Sequence, residues 1–188
     1  MGYPSRRTFL KGGAVVAGAQ LLPRQLRAAS TATAAVTTKL QQFDYGDVQL
    51  LAGPMRDQFE RNHALFLALS DDSLLKPFRQ RAGLAAPGED MGGWYSWSKD
   101  FNPPKNMTGY IPGHSFGQYL SGLARAYAVT GDKATQAKVQ RLVAGFAPTV
   151  SQKFYSDYCI PAYTFDKTNC GLIDAHQFAH NPQALAVL

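Results

Sequence analysis

The chain has four histidines, His63, His114, His176 and His180. His176 and His180 stand four apart, the spacing of a metal pair on one helix face. Gln177, Phe178 and Ala179 lie between them, so no glutamate completes an H-E-x-x-H motif. A helix C-terminus that favours cations accounts for the pair equally well. His63 falls on a largely apolar stripe and reads as a packed core histidine. His114 follows Pro112-Gly113 at the start of a helix. A depressed pKa there gives a neutral imidazole that donates to a ligand hydroxyl. A helix-start histidine bonded to loop backbone fits the same position.

The acids Glu89, Asp90, Asp100, Asp166 and Asp174 are scattered. No two have a spacing that sets a general acid beside a nucleophile. There is no Gly-x-Ser-x-Gly elbow and no phosphate loop, so no catalytic residue is assigned. Cys159 and Cys170 can pair in an oxidising compartment or remain as buried thiols. The helical pattern around Cys170 favours the buried thiol. Two cysteines make no zinc motif, and no metal ligand is assigned. Gly92-Gly93-Trp94-Tyr95-Ser96-Trp97 offers aromatic faces to a sugar ring, or packs as a loop onto neighbouring helices.

These residues need elements to position them. The strongest is Ile111 to Asp132, a helix that starts after Pro112-Gly113 and stops at Gly131. Phe116, Tyr119, Leu120, Leu123 and Tyr127 form its apolar stripe, while His114 and Gln118 share another face. Asp132 caps a second helix with Ala137, Val139, Leu142, Val143 and Phe146 inward, ending near Pro148. Upstream, Val48 to Leu51 reads as a short strand and Pro54 to about Leu69 as a helix. Leu74 to Ala82 is a short helix with Pro77 as a point of interruption. Residues 83–113 form a loop rich in glycine, proline and aromatic rings, too aromatic for disorder. Phe154 to Pro161 is an aromatic loop. Tyr163 to about His180 is helical, with Phe165, Leu172, Ile173 and Ala175 inward. Asn181-Pro182 opens a last helix. Its apolar run, Gln183 to Leu188, has no stop signal, which predicts the first part of a larger protein.

The composition is globular: 45% hydrophobic and 17% charged over 188 residues. The net charge of +6 does not indicate nucleic acid. Residues 1–34 hold Arg6, Arg7, Lys11, Arg24 and Arg27 and no acid, and setting those 5 aside leaves 14 basic against 13 acidic residues. Ser5-Arg6-Arg7-Thr8-Phe9-Leu10-Lys11 is a twin-arginine export box. A mild apolar run and Ala32-Thr33-Ala34, a small-x-small cleavage site, follow it. The domains are therefore 1–34, a signal peptide; 35–46, a linker; and 47–188, the folded part. The expected location is the periplasm or the exterior, with no membrane span after cleavage.

Several segments together resemble the β-L-arabinofuranosidase-like proteins of glycoside hydrolase family 127 and its close relatives. They are Val48-Gln49-Leu50-Leu51-Ala52-Gly53-Pro54-Met55, Glu60-Arg61-Asn62, Leu74-Leu75-Lys76-Pro77-Phe78-Arg79 and Gly92-Gly93-Trp94. Gly113-His114-Ser115-Phe116-Gly117-Gln118-Tyr119-Leu120-Ser121 resembles the family's G-H-x-x-G-H-Y-L-S-A run. Pro161 to Lys167 with Gly171-Leu172-Ile173-Asp174-Ala175 resembles its Y-T-x-H-K…G-L-x-D-A segment, and Asn181 to Leu185 the G-N-x-x-A-L that follows. The resemblance spans about Gly46 to Leu188 in order. It departs at Gln118 and at Asp166, where the family has histidines.

The resemblance implies an all-α fold of helical hairpins, part of an (α/α)6 toroid, with the short N-terminal strand and β-sandwich material after it. It implies retaining cleavage of terminal L-arabinofuranosides by a cysteine thiolate held on zinc, with a glutamate acid/base. It places those residues beyond Leu188, so zinc belongs to the full-length family member and no cofactor to this chain. The expected partners are an arabinose-containing glycan and the rest of the catalytic domain. Trp94, His114, Gln118, Tyr163 and Asp166 are the expected substrate-binding residues. The segment is then the inactive N-terminal part of an exported glycoside hydrolase. A non-catalytic carbohydrate-binding helical protein and a polysaccharide lyase on a similar toroid are the alternatives.

Overall fold

The computed structural model of the chain describes residues 40, 42–156, 158 and 160–188. Their helices follow the punctuation in the sequence. α1 is Pro54–Ala68, α2 Asp71–Arg81, α3 Pro112–Thr130, α4 Lys133–Phe146, α5 Pro161–Gln177 and α6 Ala184–Val187. Short 3-10 turns at Tyr45–Asp47, Gly93–Tyr95 and Ala147–Thr149 complete the regular structure. The described residues contain no strand, so they are all-α. The strand expected at 48–51 is not formed, and Val48, Leu50 and Leu51 are exposed there. With no second strand among the described residues to pair with, the segment has no ladder there to satisfy its backbone.

The α3–α4 hairpin shows how the turn is written. Gly131 adopts the left-handed conformation, φ 64°, and donates its N–H to Tyr127 O at 2.7 Å. Asp132 then caps α4, accepting from Ala134 N and Thr135 N at 3.3 and 2.9 Å. These hydrogen bonds hold the Asp132 carboxyl below its usual range, the Thr135 hydroxyl contributing most. Because Thr135 gives its single proton to Asp132, it accepts from His63 Nε2, 2.7 Å away. His63 is thus a half-buried staple between α1 and α4 rather than a core residue.

Ser70 caps α2, its hydroxyl accepting from Ser73 N at 3.3 Å. Pro77 lies inside α2 and does not interrupt it. Its ring is buried, and packing outweighs the hydrogen bond it cannot donate. α2 is fastened to α4 through Asp71, which accepts from Lys138 Nζ at 2.7 Å and Arg141 Nε at 2.6 Å. Partial burial pushes the Asp71 carboxyl up, but the hydrogen bonds from Lys138 and Arg141 prevail and hold it below the usual range. Lys138, only 3% exposed, also donates to Leu69 O, so its buried charge is fully partnered.

The core lies between α2, α3, α4 and α5. Phe78, Phe116, Phe146 and Phe154 form its aromatic centre, with ring centroids between 4.9 and 6.3 Å apart. Leu75, Leu120, Leu123, Val139, Leu142 and Leu172 surround them. Residues from Gln42 onward form one unit. α1 buries none of its residues, and Met55 and Leu65 are exposed. Ala137, expected inward on α4, is exposed too.

Of the four α5 residues expected inward, Leu172 and Ala175 are buried and Phe165 and Ile173 are not. Thr164, Thr168, Gly171, Leu172 and Ala175 are buried against α3, whereas Phe165 and Ile173 are 48% and 46% exposed. Small residues win the inner face because the two helix backbones nearly touch at Gly117 and Gly171. Asp174 locks the contact: it accepts from Ser121 Oγ at 2.5 Å and from Arg125 Nε at 2.7 Å. Arg125 also bonds the Tyr45 hydroxyl and lies over the Tyr45 and Phe178 rings. α5 ends at Gln177, and His180 takes a left-handed conformation, φ 56°. His176 and His180 are therefore not an i, i+4 pair on one helix, and His176 Nδ1 lies 3.1 Å from Asn181 O.

Candidate functional site

His114 is the third residue of α3 and faces the start of α5. Pro112 supplies the first turn, where its missing N–H costs nothing. Thr168 Oγ1 donates to Gly113 O at 3.4 Å, tying the start of α3 to α5. The His114 ring packs between Tyr110, at 5.0 Å and 67°, and Tyr163, at 5.3 Å and 59°. Trp94 meets Tyr110 edge-on at 6.4 Å. The Trp94 carbonyl accepts from Gly109 N and Ile111 N at 3.1 and 3.3 Å, so the loop carrying Trp94 is pinned to the turn before α3.

His114 Nδ1 lies 3.5 Å from Ser115 Oγ. Its Nε2 is buried and has no hydrogen-bond partner among the described residues. Assigning the Ser115 hydroxyl as the donor to Nδ1 places the proton on Nε2 and makes it a donor; the opposite tautomer makes Nε2 an acceptor. Burial pushes the imidazole below the usual histidine range, which keeps it neutral at neutral pH. The direction is the one read from the sequence, but the cause is desolvation rather than the helix start.

That shift carries a stability consequence. The unfolded chain binds a proton at His114 at a higher pH than the folded chain does. Stability is therefore lost as pH falls through the usual histidine pKa, about 6.5. His114→Gln should flatten the fall in denaturation midpoint between about pH 7 and 5, where the unfolded wild-type histidine takes up its proton.

The remaining expected residues are only partly brought together. Tyr163, 40% exposed, holds Lys167 Nζ 5.2 Å above its ring. Lys167 pairs with its neighbour Asp166 at 2.8 Å, which raises the lysine above its ordinary range. Trp94 is 54% exposed, so most of its ring is open. Gln118, one turn along from His114, is exposed and makes no hydrogen bond to another described residue. Trp94, His114 and Tyr163 thus share one aromatic chain, Asp166 joins it through Lys167, and Gln118 stands apart. The sequence reading missed Tyr110 and Lys167. Tyr110 was signalled by its position four residues before His114, and Lys167 by its place four after Tyr163.

The described residues bring no acid within hydrogen-bonding distance of His114. No three His, Cys, Asp or Glu side chains among them converge on a point that would hold a metal. Cys170 is an exposed free thiol, not a buried one. Cys159 lies outside the described residues, as do Arg6 and Arg7. The described residues therefore do not fit the zinc–thiolate set that the sequence resemblance implies, and no step is derived through zinc.

A family model described as Beta-L-arabinofuranosidase, GH127 catalytic domain, matches residues 47–188. The chain belongs to this glycoside hydrolase family. A second model, the TAT (twin-arginine translocation) pathway signal sequence, matches residues 4–23 and includes Arg6 and Arg7. The family 127 chain is therefore exported by the twin-arginine pathway, to the periplasm or the exterior. No helix among its described residues is long and apolar enough to cross a membrane. Comparison with curated proteins returned no match. Membership in the family implies a carbohydrate substrate, and the aromatic chain around His114 is suited to one: rings for C–H faces and a buried donor for a hydroxyl.

Proposed function

We propose that residues 47–188 form one wall of the sugar pocket of an α/α-toroid glycoside hydrolase acting on L-arabinofuranosyl or related plant glycans. In this reading residues 1–34 are the signal peptide and 35–46 a linker. The observation that carries it is His114 Nε2, a buried ring nitrogen with no hydrogen-bond partner among the described residues, framed by Tyr110 and Tyr163. A buried polar atom left unpaired costs about 1–3 kcal/mol, a cost that a sugar hydroxyl removes. Trp94 and Tyr163 supply stacking faces. Asp166 borders this pocket through Lys167, and Gln118 is an exposed amide one turn along α3 from His114; the family's histidines are replaced at both. An amide still bonds a hydroxyl there, and an aspartate paired with Lys167 changes the local charge, so the preferred sugar differs from that of members with both histidines.

The chain alone binds sugar without turning it over. Its described residues set no carboxylate beside His114 and bring no thiol cluster together; in the full family member, zinc would supply the thiolate chemistry. Calorimetric titration of the purified chain with L-arabinose tests the binding, and release of arabinose from arabinofuranosides tests the inactivity. Binding should weaken about tenfold in His114→Ala, the loss of one well-placed hydrogen bond. Equal affinity in His114→Ala would remove His114 from the pocket, and turnover by the chain would overturn the claim that it lacks the catalytic set.

A further inference from the structure

The turn between α5 and α6 carries two histidines, His176 and His180, that take no part in the proposed sugar pocket. His176 stands in the last turn of α5, and His180 follows the end of that helix. The helix stops between them, yet both line one open cavity, with Ile173, Gln177 and Pro182. No lysine or arginine is among these lining residues, so no fixed cation shares the cavity with the two rings. The carbonyl end of α5 lies beside them, the end of a helix that favours positive charge.

Each ring is held by a partner of its own. His176 Nδ1 lies 3.1 Å from Asn181 O. A carbonyl only accepts, so Nδ1 carries the proton and Nε2 keeps its lone pair. A backbone carbonyl on one ring nitrogen is the arrangement that orients a histidine for a metal at the other. Asn181 is itself fixed: it is 1% exposed, donates from Nδ2 to Gln140 Oε1 at 2.6 Å and accepts at Oδ1 from Ala184 N at 2.9 Å. The His180 ring meets Tyr127 edge-on, with centroids 6.2 Å apart. Neither His176 Nε2 nor a ring nitrogen of His180 bonds another described residue. The backbone is anchored on both sides of His180. Ala179 O accepts from Gln136 Nε2 at 3.2 Å and Gln140 Nε2 at 3.1 Å, and Asn181 N donates to Ala175 O at 3.0 Å. Between these anchors His180 is kept at φ 56°, the one non-glycine residue among those described with a positive φ. The turn thus carries a histidine where the backbone alone favours glycine.

We infer that His176 Nε2 and the His180 imidazole form a binding site for one divalent transition-metal ion. Imidazole nitrogens suit copper, zinc and nickel, and Cu²⁺ leads these in affinity. Water completes the coordination, because no carboxylate or thiol lines the cavity. The bound ion ties the last turn of α5 to the segment that enters α6. The site lies about 20 Å along α5 from Tyr163, at the opposite end of the helix.

Calorimetric titration of the full chain, without an affinity tag, with copper(II) sulfate tests the site. Alkylating the thiols beforehand keeps Cys170, which is exposed, from competing. One ion should bind per chain, and the electron paramagnetic resonance spectrum of the bound Cu²⁺ should show two coordinated imidazole nitrogens. His176→Ala and His180→Ala should each weaken binding about a hundredfold, the low end of what linking two ligands gains. His63→Gln should leave it unchanged. His180→Gly separates a ligand from a residue that only shapes the turn. It should lose the ion as His180→Ala does, while its metal-free urea midpoint should not fall, because glycine accepts the left-handed conformation. Circular dichroism establishes that each variant is folded, and if His176→Ala is not, His180→Gly decides alone. Cu²⁺ affinity that survives in His180→Gly or in a folded His176→Ala overturns the inference. A spectrum with a single imidazole nitrogen also overturns it, because the two histidines then do not share an ion.

Discussion

Gly117→Ala is expected to destabilise the domain by about 3 kcal/mol or more, the upper end of overpacking costs. A Cβ at Gly117 would sit 2.1 Å from Lys167 O, and one at Gly171 would sit 2.3 Å from Gly117 O. Both neighbours are backbone, so no flexible side-chain tip can swing aside. The two helices would have to move apart, against the Asp174 locks to Ser121 and Arg125. The same movement would separate His114 from Tyr163, which stand on opposite sides of this contact. Urea denaturation should show the midpoint falling, with sugar binding weakened even where the variant still folds. Gly122→Ala is the control. Its Cβ would meet only the Phe66 ring at 3.4 Å, and alanine is favoured over glycine inside a helix by about 0.5–1 kcal/mol. A Gly122 variant near neutral or slightly stabilised, beside a crippled Gly117 variant, isolates the close helix contact as the cause.

Phe146→Ala should cost about 3–5 kcal/mol, the range for an aromatic removed from a closed core. Phe146 is fully buried and touches three other rings: Phe116 at 4.9 Å, Phe78 at 5.1 Å and Phe154 at 5.4 Å. These rings come from α2, α3 and the loop after α4, so the void would open where three segments meet. Edge-on geometry at Phe78 and Phe154 adds about 0.5–1.5 kcal/mol per pair beyond area. For a domain whose total stability is about 5–15 kcal/mol, the loss is a large share. A drop of this size in thermal and urea midpoints should come without any change in which sugars bind, since Phe146 reaches none of Trp94, His114 or Tyr163. A loss under about 1 kcal/mol would mean that the core closes over the gap.

Much of the helical frame was legible because its ends are written in local chemistry. Pro112, Gly131 and Asp132 bound α3 and α4 in the sequence and do so in the structure. The errors arose where tertiary contact overrides local pattern. Val48 to Leu51 has strand-like residues but no partner strand among the described residues. On α5, hydropathy pointed to Phe165 and Ile173, yet the inner face belongs to Thr164, Thr168 and Gly171. Close approach selects small residues there, and nothing within α5 alone announces that α3 carries Gly117 opposite. The aromatic chain was half legible for the same reason. His114 and Tyr163 were named singly, but only the glycine contact shows that they meet. Asp174 looked like one of several scattered acids. Its role as a buried lock depends on Ser121 and Arg125, some fifty residues earlier in the chain.

The most direct measurement is nitrogen NMR of the His114 imidazole during titration with an L-arabinofuranosyl disaccharide, with His114→Ala used to assign the signal. The structure predicts a neutral ring with its proton on Nε2, and a saturable shift of that nitrogen as a sugar hydroxyl takes up the unpaired donor. An Nε2 signal that stays fixed while calorimetry shows the disaccharide bound would contradict the account.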